Sequence, residues 1–483
     1  MSILESQLKE QILKRMSIDN PWWLTGTIPD DYKKMPRRSY NALFYPMVSD
    51  RSVRRATILM GPRRVGKTVM IYHIIDKLLQ SGVNPQKIIY LSIDTPIYNN
   101  ISLEDLFNFA RQALRQEDVY QDFYVFYDEI QYLSNWEIHL KTLVDSYRSV
   151  KFVASGSAAA ALKMKSNESG AGRFTDFMLP PLTFYEYVQL LGYHNLIVER
   201  NVSSIIPYDS INMDELNRIF LEYLNYGGYP EVVFSEKIRS NPGLYIKNDI
   251  IDKVLLRDLP SLYGITDIQE LNKLFVHIAF RSGNEFSYEK LSSESGVKKE
   301  TLKKYLAYLE AAYLIKVVHR IDQNAKHLQR VTQFKIYLTN PTLRCALFSP
   351  IVETDDYMGS MVETAVFAQW IQGEQKDFYY ANWTSGREKG EVDLVWTDPA
   401  TQQAVSLVEV KWTDRYYERP KELKSLYSFL ELNRNLHQII VTTKSKTGSY
   451  MTPFGNIQFI PTAIYTYWIA DSLLANKTQK LLG

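Results

Sequence analysis

Cysteine is almost missing. Cys345 is the single one in 483 residues, so no intrachain disulfide can hold the fold, and the reducing cytoplasm is the expected compartment. No apolar run approaches the ~20 residues that span a bilayer, so no membrane-crossing helix is expected. The N-terminus mixes charged and apolar residues where a secretory signal would put charge ahead of an apolar core. Nor is there an excess of one charge: Lys plus Arg number 56 against 54 Asp plus Glu, a net +2, so any hold on nucleic acid must come from a local basic surface. Internal repeats and low-complexity tracts are absent as well. What remains is a chain long enough for two to four domains, whose 34 dispersed tyrosines are expected in cores and half-buried surfaces.

The octet Gly61-Pro62-Arg63-Arg64-Val65-Gly66-Lys67-Thr68 fits GxxxxGK[ST]. An apolar run at 57–60 precedes it as a strand, and 69–79 follows as a helix with Met70, Ile71, Ile74, Ile75 and Leu78 on its apolar side. That setting separates a phosphate-binding loop from a Gly-rich turn with an incidental Lys-Thr. Gly61 and Gly66 let the backbone curl its N–H groups toward an anion, and the helix N-terminus adds partial positive charge. Lys67 is expected to pair with the β- and γ-phosphates of ATP, and Thr68 to hold Mg²⁺.

Phe123-Tyr124-Val125-Phe126-Tyr127-Asp128-Glu129 reads as a central parallel strand, buried on both faces and ending in two acids. Asp128 is placed to hold Mg²⁺ through water, and Glu129 to polarise the attacking water. Further strand signals at 87–93, 149–154 and 177–179 alternate with helices, which predicts a parallel α/β sheet. The signal at 87–93, between loop and acids, fits P-loop ATPases with an additional central strand. Ser155 and Ser157 close the next strand as sensor candidates, with a small-residue turn as the alternative. Gly170-Ala171-Gly172 then leads to Arg173, whose guanidinium could reach ATP held by a neighbouring subunit or pair with an acid of its own chain; both readings stand.

Together, the octet, Tyr127-Asp128-Glu129-Ile130-Gln131, Ser155-Gly156-Ser157, Ala171-Gly172-Arg173-Phe174, Pro181-Leu182-Thr183-Phe184-Tyr185-Glu186-Tyr187 and Gly227-Gly228-Tyr229-Pro230-Glu231-Val232-Val233 resemble the archaeal-type AAA+ ATPases of bacteria and archaea, through most of 35–265. The resemblance implies an ATPase core continued by a winged helix and a C-terminal restriction-endonuclease-like domain.

The chain itself supplies matching patterns. Residues 1–56 form a lead-in expected to pack on the ATPase core at 57–190, and 191–265 read as a helical lid. From 268 to 321 the order helix, short helix, Gly296 turn, helix, strand resembles a winged helix-turn-helix, placed at 266–345. Leu302, Tyr305, Leu306 and Leu309 face inward, and Lys298, Lys299, Lys303 and Lys304 outward, where they meet DNA phosphates, or else form a solvated face or a protein contact.

A second constellation lies at 352–483. Period two puts Glu391 and Asp393 on one face of a strand, and Glu409 and Lys411 on one face of the next. If the faces meet, the acids can bind Mg²⁺ or Mn²⁺ while the lysine orients hydroxide, with Glu363 on the preceding helix reaching the same ion. The series resembles the PD-(D/E)xK nuclease motif, with Asp393, Glu409 and Lys411 in its core positions and the basic loop Gly386-Arg387-Glu388-Lys389-Gly390 ahead of them. A surface hairpin of alternating charge is the alternative. The whole chain thus reads as an α/β protein, a AAA+ ATPase acting on DNA and able to form homo-oligomers. Its C-terminal fold either cuts a phosphodiester or is catalytically silent in a DNA- or protein-binding switch.

Overall fold

The apolar run ahead of the phosphate loop forms strand β1, Ala56–Gly61, in the computed structural model, which describes residues 3–116, 121–157, 172–200, 206–325, 333–371, 378–385 and 388–482. With β2 (Ile88–Ser92), β3 (Tyr124–Asp128), β4 (Lys151–Ser157) and β5 (Phe174–Met178) it makes a parallel sheet in the order β2-β3-β4-β1-β5. Strands β1, β3 and β4 are buried throughout, which is why they read as unbroken apolar runs and not as alternations. In space, the strand between the loop strand and the acid strand is β4, and β2 lies at the edge.

The lead-in closes that edge. Asn20 donates to the Tyr90 carbonyl (2.9 Å) and accepts from the Tyr90 amide (2.6 Å), acting as a piece of strand, while the indoles of Trp22 and Trp23 both donate to the Ile88 carbonyl (2.9 and 2.8 Å). Backbone groups that would template pairing with another chain are thereby used. Residues 1–180 with 476–483 form one compact unit, and 181–475 the other, so 181–190 lie outside the unit that holds the phosphate loop.

In the second unit, Thr183 and Glu186 form a capping box on the helix Phe184–Leu190, followed by the hairpin β6 (Ile197–Glu199) and β7 (Tyr208–Ser210) and the helix Met213–Tyr226. Gly296, at φ +78°, ends the helix Tyr288–Ser295 and turns the chain into the helix Lys299–Ala311, which buries Leu302, Tyr305, Leu306 and Leu309 as expected.

The strands of 266–345 and 352–483 share a single nine-stranded sheet. Strands β8 (Glu285–Ser287), β9 (Ile315–Ile321) and β10 (Gln333–Leu338) join β11 (Phe378–Ser385), β12 (Glu388–Thr397), β13 (Ala404–Glu409), β14 (Gln438–Thr443), β15 (Gly448–Thr452) and β16 (Gly455–Pro461) in the order β15-β16-β14-β13-β12-β11-β9-β10-β8. The junction is a short parallel pairing of Arg320 and Ile321 with Tyr380 and Ala381. The helices Met358–Trp370 and Thr462–Leu482 contribute Val362, Val366, Ala463 and Ile464 to one core, and Lys424–Leu432 contributes Leu426 and Phe429 to another. Among the described residues no helix is long and apolar enough to cross a membrane.

Candidate functional site

The phosphate loop leaves β1 at Gly61, where a Cβ would collide with the Leu179 carbonyl, and passes through left-handed backbone at Arg64 (φ 64°) and Gly66 (φ 93°) before entering the helix Lys67–Gln80. Buried Arg38 braces the curl, donating to the carbonyls of Val65 (3.0 Å) and Pro180 (2.8 Å). The Lys67 ammonium turns into the loop and donates to the carbonyls of Gly61 (3.1 Å) and Pro62 (2.9 Å). Arg63 reaches outward to the Tyr132 hydroxyl at 3.4 Å.

Asp128, at the carboxyl end of β3, is fully enclosed, and hydroxyls meet it from three sides. Thr68 donates to it at 2.7 Å, Tyr90 at 2.9 Å, and Ser155 through a short hydrogen bond. Burial, and then the neighbouring Glu129, push its pKa above the ordinary aspartate value. Glu129 sits in left-handed backbone (φ 54°), its amide directed at Asp128 (3.1 Å) and Ser155 (3.2 Å). Its carboxylate accepts from the Gln131 side chain, whose oxygen in turn accepts from the Ser157 amide at 3.2 Å. Ser157 lies beside Gly61 in the β1–β4 register, and among the described residues its buried hydroxyl has no hydrogen-bond partner. An unpaired buried hydroxyl beside a loop of inward amides fits a phosphate oxygen. Thus the structure gathers Lys67, Thr68, Asp128, Glu129, Ser155 and Ser157. Neither Arg38 nor Gln131 was given a role in the site from the sequence, though Gln131 closes the motif that holds the acids.

Arg173 is at the opposite rim of the sheet. Its neighbour Phe174 pairs with Ala56, the first residue of β1, roughly 17 Å of strand from the loop. The guanidinium bonds Asp145 at 2.5 Å, with both side chains more than two-fifths exposed. Gly170 and Ala171, expected to give it reach, lie outside the described residues, as do Gly386 and Arg387 of the basic loop.

The C-terminal acids do converge, together with a residue the sequence reading missed. Lys335, from the middle of β10, places its ammonium 2.6 Å from Glu391, 2.9 Å from Glu363 and 3.7 Å from Asp393. Lys411 is 2.6 Å from Glu409 and 3.6 Å from Asp393. Asp393 also accepts from the Val410 amide at 2.8 Å, and Tyr337 donates to Glu363 at 2.5 Å. Burial opposes charge on Lys335, yet Glu363, Asp393 and Glu391 overcome it and hold the ammonium well above the ordinary lysine pKa. Burial works against ionised Asp393 too, but Lys411 and then Lys335 keep it below the aspartate range. Glu409, pushed up by burial and by Asp393, reaches about 7, and among the described residues its second oxygen has no hydrogen-bond partner. Among the described residues no group of three or more His, Cys, Asp or Glu is arranged to hold a metal ion. A divalent ion therefore does not fit this donor set as it stands: the point common to Glu363, Glu391 and Asp393 is filled by Lys335. Glu363, Asp393 and Glu409, expected to share a metal, are each ion-paired to a lysine in this structure.

On the helix Lys299–Ala311 and at its N-cap, all four lysines are exposed. Lys299 pairs with Glu289 (2.8 Å) and Lys303 with Glu300 (3.1 Å).

Residues 53–188 match a family model described as an AAA domain, and 217–353 and 358–465 match two domains of unknown function, DUF8612 and DUF4143. An uncharacterised protein of Methanocaldococcus jannaschii is 25% identical over 288 residues, 58% of this chain and 59% of its own length, so the match spans less than two thirds of that relative. An uncharacterised protein of Haemophilus influenzae is 23% identical over 395 residues, 80% of this chain and 88% of its own. Among solved structures, the ORC1 protein of Aeropyrum pernix in complex with DNA aligns with 68% of this chain and 95% of its own at 11% identity, with a TM-score of 0.30, too low to carry an argument.

Proposed function

We propose that the AAA domain at residues 53–188 hydrolyses ATP and drives a protein that acts on DNA. The observation that carries this is the meeting of Lys67, Thr68, Asp128 and Glu129 at the carboxyl ends of β1 and β3, beside a curled loop at a helix N-terminus. Lys67 exchanges its two loop carbonyls for the β- and γ-phosphates. Thr68 and Asp128 would hold Mg²⁺, which supplies charge neutralisation on the phosphates when bound. Glu129 polarises the attacking water, and Gln131 fixes the carboxylate's direction while tying it to the end of β4, where Ser157 lies against the phosphate. Lys67→Ala should abolish nucleotide binding, whereas Glu129→Gln should bind ATP and fail to hydrolyse it. Equal loss of binding in both, by fluorescent nucleotide titration, overturns this assignment.

DNA is met by a winged helix at 266–345, with Lys298, Lys299, Lys303 and Lys304 against phosphates. Replacing Lys299 and Lys303 with Glu should weaken binding across sequences and flatten its salt dependence. An unchanged slope gives that face to solvent or to a protein partner.

Arg173, at the rim of the sheet away from its own loop, either completes the site of an adjacent subunit in a homo-oligomer or serves only its own chain, where it pairs with Asp145. Mixing Arg173→Ala and Lys67→Ala proteins should restore some ATPase activity; no recovery in mixtures shown to co-assemble refutes action between subunits.

The segment 352–483 is nuclease-like, with Asp393, Glu409 and Lys411 in the PD-(D/E)xK positions. Of the two readings, cleavage or a silent fold in a binding switch, the ion pairing of Lys335 with three carboxylates supports the silent one. Incubation with supercoiled, linear and branched DNA, with and without ATP and Mg²⁺ or Mn²⁺, tests it: nicking lost in Asp393→Asn restores the cleavage reading.

A further inference from the structure

We propose that Lys335 is the resident cation of the C-terminal carboxylate cluster, standing where a divalent metal would otherwise bind, and that this one side chain keeps the site closed to metal. The inference rests on the nuclease-like reading of 352–483 and assigns a cause to its silence.

Four observations carry it. First, the Lys335 ammonium lies within 4 Å of three carboxylates, Glu363, Glu391 and Asp393, that come from a helix and from β12. No other cation can share that point without displacing it. Second, Lys335 arrives from β10, in the segment 217–353, while the acids belong to 358–465; the plug and the socket are contributed by different stretches of chain. Third, although its partner Glu391 is partly exposed, the lysine is enclosed. Its side chain is 4% exposed, and its ammonium sits 5.5 Å from the Tyr380 ring centre and 6.0 Å from that of Tyr337. A flexible surface lysine could swing aside for an ion, but this one would have to leave as a buried charge. Fourth, most of the carboxylate oxygens already have partners, the second oxygen of Glu409 excepted. Lys411 neutralises Glu409 and shares Asp393, Tyr337 donates to Glu363, and the Val410 amide occupies an Asp393 oxygen.

Lys411 and Lys335 thus differ in kind. Lys411 is about a quarter exposed and stands two residues beyond Glu409, the end of β13, at the motif spacing expected of an orienting lysine. Lys335 has no counterpart in the motif and lies on the far side of Asp393.

The test titrates nucleotide-free protein with Mn²⁺ and reads free Mn²⁺ by electron paramagnetic resonance. Wild type should show no Mn²⁺ site that depends on Asp393. Lys335→Met should gain one Mn²⁺ per chain, bound at least ~10-fold more tightly than any site in wild type, and Lys335→Met/Asp393→Asn should lose it again. Should Lys335→Met fail to fold, Lys335→Met/Glu391→Gln removes one uncompensated acid and is expected to show the same gain. Mn²⁺ bound by wild type and lost in Asp393→Asn overturns the proposal directly. A folded Lys335 variant that binds no Mn²⁺ overturns the reading beneath it, because the acids are then no metal constellation even when vacated.

Discussion

Two buried carboxylate centres occupy this chain, and what donates to each decides what each can accept. Asp128 is held by hydroxyls, from Thr68, Tyr90 and Ser155, which orient the carboxylate without cancelling its charge. Asp393 is held by ammonium groups, from Lys335 and Lys411, which orient and neutralise it together. The two pKa displacements point in opposite directions for that reason: burial and Glu129 lift Asp128, whereas the lysines depress Asp393 against its own burial. A carboxylate ringed by neutral donors keeps an unspent negative charge for an incoming cation. One ringed by lysines is already paired, and a metal must first evict its partner.

The sharpest break in the comparison is catalytic. Glu129→Gln should lower ATP turnover by about 10²–10⁴-fold with ATP affinity nearly unchanged, read as single-turnover hydrolysis beside equilibrium binding. Retained turnover would place the activating base elsewhere.

Stability separates the two centres next. Removing Lys335 leaves the enclosed Glu363 and Asp393 short of a counter-charge, so Lys335→Met should cost about 3–5 kcal/mol in denaturant unfolding of the second unit. Tyr90→Phe, which removes one neutral donor from Asp128, should cost only about 1 kcal/mol. Equal losses would mean that the charge of the donor is immaterial.

Glu409 gives the pH test. Its folded pKa of about 7 lies above the ordinary 4.5, so between those values the folded chain holds a proton that the unfolded chain has released. That contribution is full below the lower value and is lost as pH rises through the upper one, with a slope of at most about 1.4 kcal/mol per pH unit. Glu409→Gln should remove this slope from the pH profile of unfolding, and an identical profile would deny Glu409 the proton. The smallest effect belongs to the exposed pair at the rim: Asp145→Asn should change stability by less than about 1 kcal/mol, because solvent screens the ion pair it breaks with Arg173.

The first centre was largely legible. A phosphate loop announces itself over eight consecutive residues, and the acids end a five-residue run too apolar to be anything but a central strand, so β1 and β3 fall within a residue or so of expectation. The turn at Gly296 and the inward face of the following helix were legible for the same reason: each is a local pattern. Period two paired Glu391 with Asp393 and Glu409 with Lys411; that the two faces meet came only with the structure. Lys335 was not legible from the acids, since it lies far from them in the chain and reaches them only through the β9–β11 pairing. One signal did exist. Phe334-Lys335-Ile336-Tyr337-Leu338 puts a lysine inside a strand otherwise hydrophobic after Gln333, and a charge so enclosed needs a partner. The spatial order of the first sheet was likewise beyond a chain-order reading, because β4, not β2, separates loop from acids.

The nine-stranded sheet carries a consequence for taking the chain apart. The family boundaries suggest a cut near 355, between 217–353 and 358–465. Such a cut would sever the backbone pairing of Arg320 and Ile321 with Tyr380 and Ala381, bare a raw edge on each fragment and orphan Lys335 from its acids. Neither half is a transplantable cassette. Exchanging the C-terminal segment between relatives would succeed only where the incoming piece brings a matching edge and the right number of acids for a lysine it does not itself encode.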